Sequence, residues 1–199
     1  MLSGSFEELK QGLKKLPGIG EKTATRLAMY LIRMECKDAE KIGEAIIKAV
    51  NSYSNCSVCN ILTDIEPCIF CKDTQREQQI LCVVEDTQDA YLIENTHEFK
   101  GRYFILGNLL SPMDGIGPDE INYPLLQEFL AANPVEELIL AISPSVEGES
   151  TINFLVNQLS DKVKTITRLS TGLPFGGDME YATSRTLTTA FKRRYSADK

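Results

Sequence analysis

The sequence predicts an α/β protein with a helical front end, and three observations predict it. Apolar residues recur at helical spacing through the first fifty or so positions; two Cys-x-x-Cys pairs follow at 56–71; and from residue 80 short apolar runs alternate with helical stretches. The predicted order is an N-terminal helical module (1–53), a small four-cysteine segment (54–78), an open α/β sheet (79–171) and a short C-terminal helical tail (172–199).

In the first module Phe6, Leu9, Leu13 and Leu16 mark one helix, Pro17-Gly18 stop it, and Ala24, Leu27, Ala28 and Leu31 resume the pattern after Gly20. This is helix, tight hairpin, helix. Gly18 and Gly20 have no side chain and tolerate positive φ, so backbone N–H groups of the hairpin can approach a phosphate at a helix N-terminus that already favours anions. Lys22 and Arg26, four residues apart, share a face of the second helix and add charge along the same track. The plainer reading is an αα-hairpin whose glycines only make the turn. Leu16-Pro-Gly-Ile-Gly20 followed by Lys22 and Arg26 resembles the helix-hairpin-helix DNA-binding motif, which implies contacts to the backbone and indifference to sequence. A third helix is expected from Ala39 to about Tyr53, with Ile42, Ala45, Ile46 and Ala49 inward.

Cys56, Cys59, Cys68 and Cys71 form a C-x2-C-x8-C-x2-C array. Each tight pair presents two sulfurs to one ion, so four thiolates reach the tetrahedral set that a structural Zn2+ takes. Two disulfides, a redox pair or four unrelated thiols are the alternatives. Met1 to Lys15 has no long apolar run behind a basic start, so the expectation is a chain kept in the reducing cytoplasm, where disulfides are rare. The stretch from Asn60 to Pro67 is too short to bury a core, and the metal is expected to substitute for one. Cys36 and Cys82 lie outside the array in apolar patterns and read as small core residues.

Beyond the cysteines, Ile80-Leu-Cys-Val-Val84 reads as a buried parallel strand ending in Glu85-Asp86, followed by a helical stretch around Ala90 to Ile93. Further strands are predicted at Tyr103–Leu106, Leu138–Ile142 and Val163–Ile166, with helices at Tyr123–Ala132 and Ser150–Leu159 between them. Ligands of such sheets sit at the C-terminal ends of the strands. There Glu85 and the segment Ser143-Pro-Ser-Val-Glu-Gly-Glu149 bring Glu85, Glu147 and Glu149 to one edge, as a possible Mg2+ site, a patch for a basic partner, or three solvated carboxylates. The tail from Met179 to Arg194 reads as a helix ending in Lys192-Arg193-Arg194, reached through a connection at Gly172–Gly177 that is a possible oligomer contact; His97, the only histidine, reads as a surface loop residue.

Of 199 residues 43% are hydrophobic, enough for one good core or two small ones, and no apolar run approaches the roughly 18 residues of a membrane span. Net charge is −7, which argues against a protein coating nucleic acid through an all-over basic surface. Its distribution is uneven: residues 1–50 hold nine Lys/Arg and seven Asp/Glu, while residues 80–180 hold five and sixteen. Contact with DNA therefore belongs to the N-terminal module, and the acidic part suits cations, a basic partner or plain solvation.

A strand ending in glutamate and a later acidic-x-acidic segment resemble the Toprim domain of topoisomerases and primases. Read whole, the order of modules, with Cys56-Ser-Val-Cys59, Leu110-Ser-Pro-Met-Asp-Gly-Ile-Gly-Pro118, Val146-Glu-Gly-Glu149 and Gly172-Leu-Pro-Phe-Gly-Gly-Asp-Met-Glu-Tyr181, resembles the RecR family of recombination mediators over essentially the full chain. That resemblance implies a non-enzymatic role in recombinational repair of gapped DNA, with RecO and RecF as partners in loading recombinase onto single strands. It implies dimers or ring-like tetramers joined through the N-terminal module and the C-terminal region, which makes 172–199 an oligomerisation segment, with DNA binding at Lys22 and Arg26 and RecO binding at Glu85, Glu147 and Glu149. Catalytic Toprim domains carry Asp-x-Asp where this chain has Glu147-Gly-Glu149, and no nucleophile stands in a recognisable setting. A Toprim-type Mg2+-dependent nuclease or nicking enzyme is the alternative reading.

Overall fold

A computed structural model describes residues 4–173 and 176–194 of the chain, which divides into two compact units, 1–53 and 54–199.

The first unit is three helices, α1 (Gly4–Lys14), α2 (Glu21–Ile32) and α3 (Cys36–Ser52). Ala24 and Ala28, one turn apart on α2, are fully buried, and their small side chains let α1 come close. α3 starts three residues earlier than the apolar spacing predicts, with Asp38 in its first turn, where the helix dipole favours a carboxylate. Its apolar stripe is not inward: no residue of α3 is buried, and Ile46 and Val50 are 60% and 73% exposed. Three short helices offer little surface to cover one another, and α1 and α2 spend theirs on each other. Cys36 is exposed rather than a core residue, because it sits in α3's first turn with its thiol toward Glu40.

The second unit opens with a two-stranded antiparallel ribbon, β1 (Ser54–Asn55) and β2 (Leu62–Thr63), and the single turn α4 (Ile69–Lys72), which together hold the four cysteines. An open sheet follows, built from β3 (Glu77–Val84), α5 (Thr87–Glu94), β4 (Gly101–Ile105), α6 (Tyr123–Ala132), β5 (Glu137–Ala141), α7 (Val146–Leu159), β6 (Thr165–Arg168) and α8 (Ser184–Lys192). The strands are parallel in the order β4-β3-β5-β6, with Val84 paired to Ile105 on one side and to Ala141 on the other. Strand order reverses between β3 and β5, and that switch point is where an open α/β sheet leaves a crevice at its C-terminal edge.

Side chains alternate along each strand, so the sheet has two apolar faces. Leu81, Val83, Phe104, Leu138 and Leu140 meet α6 and α7 through Leu126, Phe129, Ile152, Leu155 and Leu159. Cys82, Val84, Tyr103, Ile105 and Ala141 meet Ala90 of α5 and, beside it, Cys56, Cys59, Ile61, Cys68 and Phe70. The cysteine segment thus shares the core of the sheet as part of the layer covering one face. It is not a module whose only interior is the metal, as the sequence suggests.

Two boundaries differ from the sequence pattern for local reasons. α7 begins at Val146, a turn before the predicted Ser150, because Ser145 caps it by accepting from the Gly148 N–H at 2.9 Å. The last strand is Thr165–Arg168 rather than Val163–Ile166, since Val163 is buried in the turn closing α7, donating its N–H to the Leu159 carbonyl. The tail splits into a 3-10 turn (Met179–Tyr181) and α8, whose start is set by Thr183 accepting from the Thr186 N–H. Of the connection at 172–177, Pro174 and Phe175 lie outside the described residues, as do residues 195–199 of the tail. His97 is exposed in a loop, and no helix among the described residues is long and apolar enough to cross a membrane.

Candidate metal centre and nucleic-acid interface

The turn between α1 and α2 is held by backbone bonds: the Ile19 N–H donates to the Leu16 carbonyl, and the Ala24 N–H to Gly20. Gly18 takes φ +76°, a conformation that a side chain would strain. Gly20 does not share it. It is extended at φ −83° and is the cap of α2, where it makes no side-chain bond. Nothing lies within 4 Å of a Cβ built on either glycine, so the hairpin is open on its outer side.

Charges around the hairpin are sorted by ion pairs that the sequence reading missed. Glu21, in the first turn of α2, meets Lys10 at 2.8 Å and Lys14 at 2.6 Å, and these bonds hold its carboxyl down to about 2. Lys10 also pairs with Glu7 at 2.8 Å. The three residues clamp α1 to α2 and cancel the carboxylate that would otherwise repel an anion at this helix end. Lys22 and Arg26 are exposed and form no ion pair among the described residues. The signal was present in the sequence, since Lys10 and Lys14 lie four apart and so share a face.

The four cysteine sulfurs all lie within 4.8 Å of one another. Cys59 and Cys68 are 3.5 Å apart and Cys56 and Cys71 4.0 Å, close to the edge of about 3.8 Å of a tetrahedron with metal–sulfur bonds of about 2.3 Å. The donor set and spacing therefore fit a metal ion. Cys68 caps α4, accepting from the Cys71 N–H. Its thiol is lowered by bonds from Cys59 and then Cys71, while that of Cys59 is raised, first by Cys68. Asn60 turns the first pair with φ +61°, a left-handed conformation that asparagine tolerates. Its amide donates to the Ile105 carbonyl at 2.9 Å, and the Ile105 N–H donates to the Cys59 carbonyl at 2.9 Å, so the knuckle is sewn to the end of β4.

Arg76 secures the other end of the cysteine segment. Its guanidinium donates to Glu94 and to the Gly101 carbonyl, and lies 4.8 Å from the Phe70 ring centre and 5.7 Å from that of Tyr103. The Tyr103 hydroxyl donates to the other Glu94 oxygen at 3.0 Å.

At the switch point Glu85 directly follows β3, half-buried, and its carboxyl is raised by burial and then by Asp89 and Asp86. Glu147 and Glu149 lie on the first turn of α7. Residues two apart on a helix stand about 200° apart around its axis. Glu147 accordingly faces solvent, while Glu149 accepts a bond from Arg168 of β6 at 2.9 Å. Among the described residues the four cysteines are the only group of three or more His, Cys, Asp or Glu with ligand atoms so close together, and the three glutamates do not form such a set. Gly148 stands between them for a steric reason: a Cβ there would lie 1.9 Å from the Ser143 carbonyl oxygen. The Leu110–Pro118 loop is tied to the same helix, the Leu110 N–H donating to the buried Thr151 hydroxyl at 2.9 Å.

Comparison with known proteins agrees with this arrangement. Residues 6–50 match the family model for the RecR helix-hairpin-helix, and residues 79–170 that for the Toprim domain. The chain is similar to the recombination protein RecR of Desulfatibacillum aliphaticivorans, 44% identical over 191 residues and 96% of each chain. It is also similar to the RecR of Halorhodospira halophila (strain DSM 244 / SL1), 40% identical over 192 residues and again 96% of each. A helical hairpin, a four-cysteine knuckle and a parallel Toprim sheet, matched at this identity from end to end, place the chain in the RecR family of recombination proteins.

Proposed function

We propose that this protein is a non-enzymatic DNA-binding adaptor in recombinational repair. It holds gapped, single- or double-stranded DNA through the phosphate backbone and helps RecO and RecF load recombinase onto single strands. The observation that carries the reading is the charge sorting at the hairpin: Lys10 and Lys14 neutralise Glu21, and Lys22 and Arg26 stay exposed beside an open glycine turn at the start of α2. Gly18 and Gly20 admit the phosphate, and the two cations supply attraction that does not depend on base sequence. Homodimers or homotetramers bring several hairpins to one duplex, and linked weak sites raise the effective concentration enough for an acidic chain to hold DNA.

In this reading the four cysteines hold a structural Zn2+, in keeping with a closed, all-thiolate set of that size. Glu85 and Glu147 offer separate carboxylates to a basic surface of RecO, and Glu149, on the other side of α7, adds to that surface only together with its partner Arg168. The setting is cytoplasmic. Strand cleavage is disfavoured because Glu149 already has a cation partner in Arg168.

The test is a native gel of labelled gapped DNA with zinc-loaded protein and Mg2+, and a denaturing gel of the same samples. A shifted but intact strand is expected. Cut strands that vanish with Glu85→Gln overturn the adaptor and establish a Toprim nuclease.

A further inference from the structure

The four cysteines are not equally shielded. Cys56, Cys59 and Cys68 are buried, at 1%, 0% and 1% exposure, while Cys71, the last residue but one of α4, is only partly buried. A thiolate is oxidised where the oxidant reaches it, so attack on this centre begins at Cys71. Its sulfur lies 4.0 Å from that of Cys56, which belongs to the other Cys-x-x-Cys pair. Closing that gap to a disulfide of about 2.05 Å asks for a movement of about 2 Å. The elements that carry the two sulfurs are light enough to give it, since β1 is two residues long and α4 a single turn.

The same segment is bonded to the backbone that carries Glu85. The Leu62 N–H donates to the hydroxyl of Thr87, the first residue of α5, at 3.0 Å. The Ile105 N–H donates to the Cys59 carbonyl, the Asn60 amide donates to the Ile105 carbonyl, and two residues further on the Gly107 N–H donates to the Glu85 carbonyl at 2.8 Å. A shift of the cysteines is carried by these bonds to the end of β4 and the start of α5.

We propose that Cys71 is an oxidative modification site and that Cys71 and Cys56 form a redox pair within the metal centre, with peroxide as the oxidant. The Cys71 thiolate attacks a peroxide oxygen: an S–O bond forms, the O–O bond breaks and hydroxide leaves, giving a sulfenic acid. The Cys56 thiolate attacks that sulfur, so an S–S bond forms, the S–O bond breaks and a second hydroxide leaves. Two thiolates have lost two electrons and one peroxide has gained them. Cys59 and Cys68 are too few to hold a closed four-thiolate site, and the metal leaves. Disulfides in a reducing compartment are transient and sensing, and thiol reductant reverses this one. The inference rests on the reading of the four cysteines as a zinc centre and adds a regulation to it: oxidation loosens the backbone around Glu85.

The experiment uses full-length, zinc-loaded protein in a Cys36→Ser background, so that the exposed Cys36 consumes no oxidant. Zinc content is measured first and hydrogen peroxide is then added. A colorimetric chelator follows zinc release, mass spectrometry maps disulfides, and hydrogen exchange is read at the Leu62 and Ile105 amides. Cys71→His, which keeps a metal-binding nitrogen and removes the thiol, is the test variant, with zinc content and circular dichroism as its checks. One zinc is expected per Cys56–Cys71 disulfide, with exchange at least tenfold faster at both amides and zinc release at least tenfold slower in Cys71→His. Where that variant does not load, the disulfide map of the Cys36→Ser protein decides. Zinc retained under peroxide, a first disulfide other than Cys56–Cys71, unchanged exchange, or equally fast release from a loaded Cys71→His protein overturns the proposal. A chain that holds no zinc before oxidant is added refutes the metal centre itself, and the switch with it.

Discussion

The ion pairs at the hairpin predict that two kinds of substitution there act with opposite sign. Lys22→Ala with Arg26→Ala removes two exposed cations, and each phosphate contact contributes about 0.9 to the slope of log affinity against log salt. The double variant should lower that slope by about 1.8 for each hairpin in contact. Between about 50 and about 200 mM salt its affinity gap from the unaltered protein should then shrink roughly tenfold. Glu21→Gln should do the reverse. Lys14 has Glu21 as its ion-pair partner at 2.6 Å, whereas Lys10 keeps Glu7 at 2.8 Å when Glu21 is neutralised. The substitution therefore removes one anion from the helix end and releases one cation, and the slope should rise by about one. Fluorescence anisotropy of labelled gapped DNA across that salt range reads both variants, with circular dichroism to check that the helices persist. A double variant with unchanged slope, or a Glu21→Gln protein that binds more weakly while still helical, refutes the assignment of DNA to this face.

Stripping metal from the cysteines should uncover the sheet face they cover: Cys82, 2% exposed with its thiol pushed up to about 12 by burial, should stay unlabelled by alkylating reagent in the loaded protein and label after chelation, read by mass spectrometry in a Cys36→Ser background. Gly148→Ala should cost about 3 kcal/mol or more in urea unfolding, because the new Cβ meets the Ser143 carbonyl oxygen at 1.9 Å and neither the strand end nor the first turn of α7 can yield cheaply. Arg76→Ala should cost about 3 kcal/mol at neutral pH by leaving Glu94 without its cation. For the Glu94 carboxyl burial acts upward, but bonds from Arg76 and Tyr103 prevail and hold it below its ordinary 4.5. A depressed folded value adds stability above the ordinary value and loses it on acidification, so the gap between the two proteins should narrow from about pH 7 to about pH 3.

What could be read in the sequence were the features with a short, rigid signature. Four cysteines in two tight pairs leave little choice of partner, and the apolar runs at Ile80 and Leu138 sit in β3 and β5 because each strand is covered on both faces. Long-range pairings left no such mark. Nothing in the local pattern of Arg76 reveals that it spans from the cysteine segment to Glu94, and nothing around Asn60 reveals that its amide caps β4. The apolar stripe of α3 shows the opposite failure, since its helical spacing was read correctly while the face it presents is exposed, and spacing alone does not say what covers a stripe.

The acidic edge shows why a two-residue spacing has to be read on its element. On an extended chain Glu147 and Glu149 would point the same way, and with Glu85 they would resemble a three-carboxylate metal site. Ser145 caps the helix early enough to place both on its first turn, and the same spacing then separates them by about 200°. Gly148 fixes how closely that turn sits on the end of β5, so the helix cannot slide to bring them back together. Arg168 completes the separation by occupying Glu149 at 2.9 Å. What is left at the switch point is Glu85, half-buried and raised by burial, and Glu147 in solvent. Two carboxylates in such different surroundings are poorly matched as ligands of one hard cation, which asks for several oxygens at a common centre. They are better suited to meeting separate cationic side chains across a protein surface, where each pair is judged on its own geometry.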